Sequence, residues 1–238
     1  MIINAATLDA MFKGFKTLYT TAALDAPSQA SEVAMTVTSA ARDETYNWLG
    51  QFPQMREWVG DERVIRQLEA HGFTITNRKF ESTISIGRDD IADDRLGVFS
   101  PVIQSMGYEA AIHPDHVVFG LLAAGLATEC CDGQSFFDTE HPVVDEDGPV
   151  TGSDGRQMAY ASRAPLNKAN YEAARTAMQR QVFDKGRPLG IKPTVLVVPP
   201  ELDGAAMRLL NTEHVDGGNS KEWKGTAKPI VTPFLNAA

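Results

Sequence analysis

Cysteine is almost missing from this sequence of 238 residues. The only two cysteines, Cys130 and Cys131, are neighbours, so they cannot form a disulfide framework and lack the spacing of a zinc knuckle. No apolar run reaches the roughly 18 residues of a membrane-spanning helix. The first residues also lack the basic and apolar regions of a secretory signal. The sequence therefore predicts a protein with no membrane partner, located in a cytoplasm.

Positive charge is scarce as well. Asp and Glu number 31 against 22 Lys and Arg, which gives a net charge of −9. Because Lys and Arg contacts with phosphates drive nucleic-acid binding, this balance argues against a protein dedicated to reading nucleic acids.

The common catalytic motifs GxSxG, GxxxxGK[ST] and GxGxxG are absent, but an acidic cluster over Asp89–Asp94 remains. Its DDxxD spacing resembles the magnesium-diphosphate site of isoprenoid synthases, because hard cations prefer clustered carboxylates. Those enzymes carry the motif on a helix and have a second acidic site, whereas a β-type alternation precedes it here. A solvated acidic turn is the simpler interpretation.

Three histidines, His113, His116 and His141, suggest a zinc site together with the cysteines. Pro114 interrupts the first pair, and a helix-start cap explains the residues around Asp115 equally well. The cysteines follow a helix C-terminus, where the dipole opposes thiolate formation. The sequence thus predicts a protein that is not an enzyme, with no catalytic, cofactor-binding or metal-binding residue. A metal-dependent enzyme that uses the acidic cluster or the histidines is the alternative.

Apolar periodicity divides the chain into elements. Residues 1–20 form an amphipathic helix whose apolar side needs a partner surface, and residues 20–45 are arm-like. Residues 62–87 alternate as an extended ribbon with a polar turn at Asn77–Lys79, which we expect to project from the fold.

The remaining elements are mainly helical. Ser100-Pro101 opens the longest helical unit, which spans about 99–130 and which Pro114 should kink or restart. Asn167 caps a further helix. Thr194–Val198 predicts a buried strand, Glu201–Leu210 a helix, and Ile230-Val231 a final strand.

Four blocks of sequence occur in a characteristic order, and the first of them crowds aromatic, turn and charged residues in a way that no single amphipathic element requires. They are Tyr46–Gly60, Phe80–Asp94, His113–Asp115 and Cys131–Pro142. In this order the chain resembles the major head subunit of Mu-like phages and prophages, the T protein family of major capsid proteins. The resemblance extends from Asn4 to about Phe234.

The resemblance implies an α+β fold, the tailed-phage major capsid fold of the Hong Kong 97 type. It implies an N-terminal arm at 1–58, an extended E-loop hairpin at 59–87, a peripheral domain with the spine helix at 88–165, and an axial domain at 166–238. Related subunits are expected to continue beyond residue 238, so the axial domain is expected to be truncated.

The resemblance also implies the function and the partners. The chain would associate with itself into hexamers and pentamers of an icosahedral shell in the virion, which encloses DNA without sequence-specific binding. Scaffold, head protease and portal proteins would be further partners, and assembly would take place in the bacterial host cytoplasm. The candidates for contact between subunits are Trp48, Phe52, Arg56 and Trp58 in the arm and Asn77, Arg78, Lys79 and Phe80 at the ribbon tip.

Overall fold

The protein is described from a computed structural model, which covers residues 4–49, 70–93, 96–130, 133–141, 143–145, 148–150, 160–183, 187–211 and 222–236. Its α-helices are α1 Ala5–Asp25, α2 Arg88–Ala92, α3 Ser100–Ala123, α4 Lys168–Gln179 and α5 Asp203–Leu210. Short 3₁₀ helices occur at Ala30–Glu32, Leu96–Phe99, Pro200–Leu202 and Pro233–Asn236.

The strands described by the structure pair two by two. They are β1 Asp43–Leu49, β2 Ala70–Thr76, β3 Val143–Asp145, β4 Gly148–Val150, β5 Val182–Phe183, β6 Arg187–Pro188, β7 Val195–Val198 and β8 Lys228–Val231. Three of the pairs are antiparallel, and β7 pairs with β8 in parallel. The expected mixture of helices and strands is present. None of the helices in the described part of the chain combines the length and the apolar character needed to cross a bilayer.

The chain divides into two compact units. The first, which we call the helical unit, consists of Met1–Thr36 and Arg78–Gly120. The second, the sheet unit, consists of Val37–Asn77 and Leu121–Ala238. In this division most of α3 belongs with the N-terminal segment, while the residues after it belong with the C-terminal half. The domain bounds expected from the sequence stay a prediction.

Helix α1 of the helical unit begins at a reciprocal cap. The Asn4 side chain accepts a hydrogen bond from the Thr7 backbone at 2.9 Å, and the Thr7 hydroxyl oxygen accepts one from the Asn4 backbone at 3.0 Å. The apolar residues at helical spacing are half-buried, namely Leu8, Met11, Phe15 and Leu18. Phe12 and Tyr19 are 64% and 38% exposed and no residue of α1 is fully buried, so its apolar side is only half covered.

Helix α3 crosses α1 at Gly107, which is buried. A Cβ atom at this position would lie 2.3 Å from the Tyr19 carbonyl oxygen on α1. The two backbones can approach this closely only because glycine has no side chain. Helix α1 therefore contacts α3 of the same chain at this point, and the expectation that the arm lies over neighbouring subunits stays a prediction.

Of the kink or restart expected at Pro114, the restart is wrong, because α3 runs through this residue without interruption. A proline removes the hydrogen bond to the carbonyl four residues earlier, which here belongs to Ala110. Both Pro114 and Ala110 are exposed, so water can solvate that carbonyl.

The sheet unit is centred on Tyr171, Leu210 and Ala227, with Leu196, Leu209 and Trp223 packed around them. Asn167 caps α4 by accepting from the Asn170 backbone at 2.9 Å, as predicted. Strand β7, helix α5 and strand β8 form a parallel crossover, in which Ile230 and Leu210 are fully buried. The predicted strand at Thr194–Val198 and the helix ending at Leu210 are both present.

Replacement of Gly107 by alanine is expected to destabilise the protein by roughly 1–3 kcal/mol, because the new methyl group clashes with backbone rather than with a flexible side chain. Urea unfolding measures this change. The matched control is Gly120→Ala on the same helix, where nothing lies within 4 Å of the added Cβ. That variant should be stabilised by up to about 1 kcal/mol through helix propensity, and equal effects at both positions would contradict the close approach.

Candidate functional site

The antiparallel strands β1 and β2 form a two-stranded ribbon with two different faces. Directly opposite residues share a face, and the pairs Glu44 with Ile75 and Tyr46 with Phe73 lie on the same one. The side chains of Tyr46, Phe73 and Ile75 are 39%, 41% and 48% exposed. On the other face the hydroxyls of Thr45 and Thr74 lie 3.0 Å apart. We call the first of these the aromatic face of the ribbon.

A carboxylate organises the base of the ribbon. One Glu44 side-chain oxygen accepts hydrogen bonds from the Ser39 hydroxyl at 2.8 Å and from the Ala40 and Ala41 backbones at 3.0 and 3.1 Å. The bond from Ser39, followed by those from the two backbone amides, lowers the pKa of Glu44 below its usual value of 4.5.

Asn77 completes this base. Its side-chain amide donates to the Ser39 hydroxyl at 2.6 Å and to the Ala41 carbonyl at 2.7 Å, and its backbone N–H donates to the Arg42 carbonyl at 2.9 Å. The expected position of Asn77 at the tip of the ribbon is therefore wrong. Residues 70–76 pair with residues 43–49, and no turn folds them back onto residues 80–86.

The other predicted contact residues lie in different places. Arg78 and Lys79 are exposed, and Phe80, which is 63% exposed, makes an edge contact with His113 at 4.2 Å between ring centres. Trp48 pairs through its backbone with His71 in the ribbon. Phe52, Arg56 and Trp58 lie outside the described residues. Of the residues expected at the ribbon tip, Arg78, Lys79 and Phe80 thus follow the second strand in sequence and do not form a turn of the ribbon.

Asp115 on α3 is a buried carboxylate that sequence reasoning assigned to a helix start. Its oxygens accept from the Ser28 hydroxyl at 2.7 Å, from the Gln29 backbone at 3.0 Å and from the Ala30 backbone at 2.7 Å. Asp115 and Ala30 are 5% and 6% exposed. The carboxylate therefore fixes the segment after α1, including the first 3₁₀ helix, onto the middle of α3.

The structure does not assemble the metal sites that the sequence left open. In the described residues, no group of three or more His, Cys, Asp or Glu side chains is placed to hold a metal ion. Asp89 and Asp90 lie in the first turn of α2, where the helix dipole favours carboxylates. His113 packs against Phe80, and a ring nitrogen of His141 lies 3.3 Å from the Phe136 carbonyl oxygen.

Comparison with known proteins decides the family. The sequence model of the "Mu-like prophage major head subunit gpT" matches residues 8–155 and 150–235. The chain belongs to the Mu-like major head subunit family. The major capsid protein of Escherichia phage Mu is 34% identical over 306 residues, which covers 99% of this chain and 100% of that protein. The FluMu prophage major head subunit of Haemophilus influenzae is 33% identical over 273 residues, which covers 86% of this chain and 88% of that protein.

Solved structures of phage capsid proteins support the same family. The bacteriophage JBD30 procapsid protein matches with a TM-score of 0.76 at 32% identity, covering 98% of this chain and 100% of that one. The JBD30 capsid protein matches with a TM-score of 0.70 at 32% identity, covering 99% of this chain and 100% of that one. The Hong Kong 97 type capsid fold is thereby confirmed. The function of this chain is that of a structural head subunit of the capsid.

The alignment also locates the difference in length between this head subunit and the Mu protein. An alignment of 306 positions against 238 residues leaves at least 68 positions without a counterpart here. Because 100% of the Mu protein is covered, those positions lie inside the alignment. In the Mu protein, the extra length therefore does not lie beyond the position that matches residue 238.

Asp115→Asn is expected to destabilise the protein by roughly 1.5–3 kcal/mol, because it weakens hydrogen bonds to a charged, buried acceptor. The Gln29 and Ala30 amides should exchange faster with solvent than in the unchanged chain. Urea unfolding and hydrogen exchange measure the two effects. The exposed Asp89→Asn is the matched control and should stay within about 0.5 kcal/mol of the unchanged chain; unaltered exchange at Ala30 would contradict the role of Asp115.

The ribbon base should loosen in acid. A depressed folded-state pKa means that the contribution of Glu44 is present above its unfolded pKa near 4.5 and is lost as pH falls through the lower folded value. The Ala40 and Ala41 amide resonances should therefore move with a midpoint below 4.5 in an NMR titration. Glu44→Gln is the control, and it should remove this titration from both amides. A midpoint at or above 4.5 would exclude the three hydrogen bonds.

Proposed function

We propose that this head subunit builds its shell by placing the ribbon on a second copy of the chain, as hexamers and pentamers. The support is the aromatic face: Tyr46, Phe73 and Ile75 stand side by side and exposed on a strand pair that contributes little core of its own. Aromatic side chains in such positions are the usual anchors of protein interfaces. This assignment places the E-loop at residues 43–76, earlier than the 59–87 expected from the sequence.

The base of the ribbon suits this role. Glu44 and Asn77 tie both strand ends to residues 39–42, so the base of the ribbon is ordered by its own hydrogen bonds. A pre-ordered strand pair loses less conformational freedom on docking than a loose one, which improves affinity. Many weak contacts repeated around a closed shell then combine into a stable assembly.

The remaining candidates are assigned to the same contacts. The residues still proposed as contacts between subunits are Trp48, Phe52, Arg56, Trp58, Arg78, Lys79 and Phe80. The side chain of Asn77 already bonds within its own chain, so its role is to orient the ribbon. The segment before the ribbon contributes mainly to the helical unit, since Asp115 and Gly107 hold it there.

The wider assignments rest on the family. We propose that the chain has no enzymatic activity, that it is located in the virion capsid, and that it is assembled in the host cytoplasm with scaffold, head protease and portal proteins. The net charge of −9 suits a shell that encloses DNA without binding particular sequences. The metal-dependent enzyme is not supported by any observation of the site, and metal analysis of the purified protein tests it.

Phe73→Ser combined with Tyr46→Ser should weaken self-association at least tenfold, because the aromatic face loses its anchors. Light scattering over a concentration series, with negative-stain microscopy of the concentrated protein, measures the assembly. The unfolding free energy of the subunit should change by less than about 1 kcal/mol, since the ribbon is exposed.

The control replaces the opposite face of the same ribbon, with Thr45→Ser and Thr74→Ser. These changes keep the hydroxyl pair and leave the aromatic face intact, so association should stay the same. Equal association of all variants would show that the ribbon does not dock through its aromatic face, and a strictly monomeric unchanged chain would remove the proposed function itself.

A further inference from the structure

Charge is segregated within the sheet unit. Residues 129–147 carry seven Asp or Glu and no Lys or Arg, whereas residues 180–192 carry four Lys or Arg and one acid. A chain with net charge −9 thus has a local positive segment close in sequence to its most acidic one. Opposite patches at different places on one chain are what a head-to-tail contact between copies requires.

Two cations of the positive segment, Arg180 and Lys192, lie at the C-terminal end of α4. Arg180 is the C-cap residue of this helix. The Leu189 backbone donates to the Gln181 carbonyl at 2.9 Å, and Arg175 on α4 donates to the Pro193 carbonyl at 3.0 Å. These bonds bring the residue before Pro193, Lys192, to the same end of α4. We call Arg180 and Lys192 the basic patch, and both are exposed.

The negative segment begins in the loop after α3. Glu129 and Ser135 form an isolated antiparallel β-bridge, and the Cys130 backbone N–H donates to the Gln134 carbonyl at 2.7 Å. These backbone contacts close the loop. Farther along, Asp138 accepts from the Glu140 backbone at 2.9 Å. Glu129 and Glu140 are exposed. We call Glu129, Asp138 and Glu140 the acidic loop.

Neither group is neutralised by the described part of its own chain. The ion pairs found there are Lys13 with Asp9 and Lys168 with Glu222, and neither involves the basic patch or the acidic loop. Arg175, by contrast, is occupied by the Pro193 and Thr226 carbonyls and lies over Trp223. Among the described residues, Arg180 and Lys192 thus have no carboxylate partner in their own chain.

We propose that the basic patch of one subunit binds the acidic loop of a second copy, which rests on the self-association proposed above. Charge complementarity favours a second copy over DNA. The affinity of a protein for DNA depends on many Lys and Arg contacts with phosphates. This patch has only two such residues, and the rest of the chain is acidic. Exposed complementary charges add modest affinity but set the partner and the register of the contact. The ribbon then supplies affinity, and the charges select which neighbour it reaches.

Charge reversal tests this contact. Arg180→Glu and Lys192→Glu should each weaken association about two- to fivefold at low salt, and Glu140→Lys should do the same. The double variant Arg180→Glu with Glu140→Lys should recover the association of the unchanged chain, because the pair is restored with its signs exchanged. The differences should shrink at about 1 M salt, where the Debye length is about 3 Å. Light scattering gives the association, and circular dichroism verifies the fold of every variant.

The matched control is Arg163→Glu, which makes the same charge change at an exposed residue outside the patch. If it weakens association as much as Arg180→Glu and Lys192→Glu, or if the double variant is no better than either single one, the proposal is wrong.

Fluorescence anisotropy with a duplex oligonucleotide tests DNA as the alternative partner. DNA binding that the patch reversals abolish, without any change in association, would make DNA the partner. An unchanged chain that stays monomeric would overturn the proposed function as well, whereas association that is insensitive to the patch would overturn only this contact.

Discussion

A single buried carboxylate, that of Asp115, holds the helical unit together across 85 residues of sequence. Its oxygens receive the Ser28 hydroxyl and the backbone N–H groups of Gln29 and Ala30, which would otherwise be donors without partners at the start of a 3₁₀ helix. The close approach of α1 and α3 at Tyr19 and Gly107 sets the distance between these two helices. Together the two features convert an N-terminal segment that resembles a free arm into part of a packed unit.

Sequence patterns were reliable where an element depends on its own residues. The Asn167 cap, the Ser100-Pro101 helix start and the apolar strand before Val198 are local signals, and all three elements are present. The fold class followed from the family resemblance, which the capsid structures confirm. The C-terminal half was predictable because its apolar runs alternate with helices in the order of a parallel crossover.

Sequence patterns failed for residues whose contact partners are distant in sequence. Strand β1 begins with Asp43 and Glu44, and only Tyr46 and Trp48 alternate with polar residues, so its pattern is too short to identify β2 as its partner. The polar stretch at Asn77 resembles a turn, but its side chain serves as a hydrogen-bonding anchor for residues 39–42. Asp115 gives no signal of burial, because a charged residue after a proline is usually exposed or a cap. The aromatic face became visible only once β1 and β2 were in register.

The discontinuity of the helical unit has a consequence for how the chain is made. Ala30 emerges from the ribosome 85 residues before its acceptor, Asp115. At about 5–20 residues per second, that interval lasts about 4–17 s. During this time the Gln29 and Ala30 N–H groups lack the carboxylate that later accepts their hydrogen bonds, while the ribbon strands, which are much closer in sequence, can already pair. Only the synthesis of the second half of α3, which carries Asp115, completes this contact.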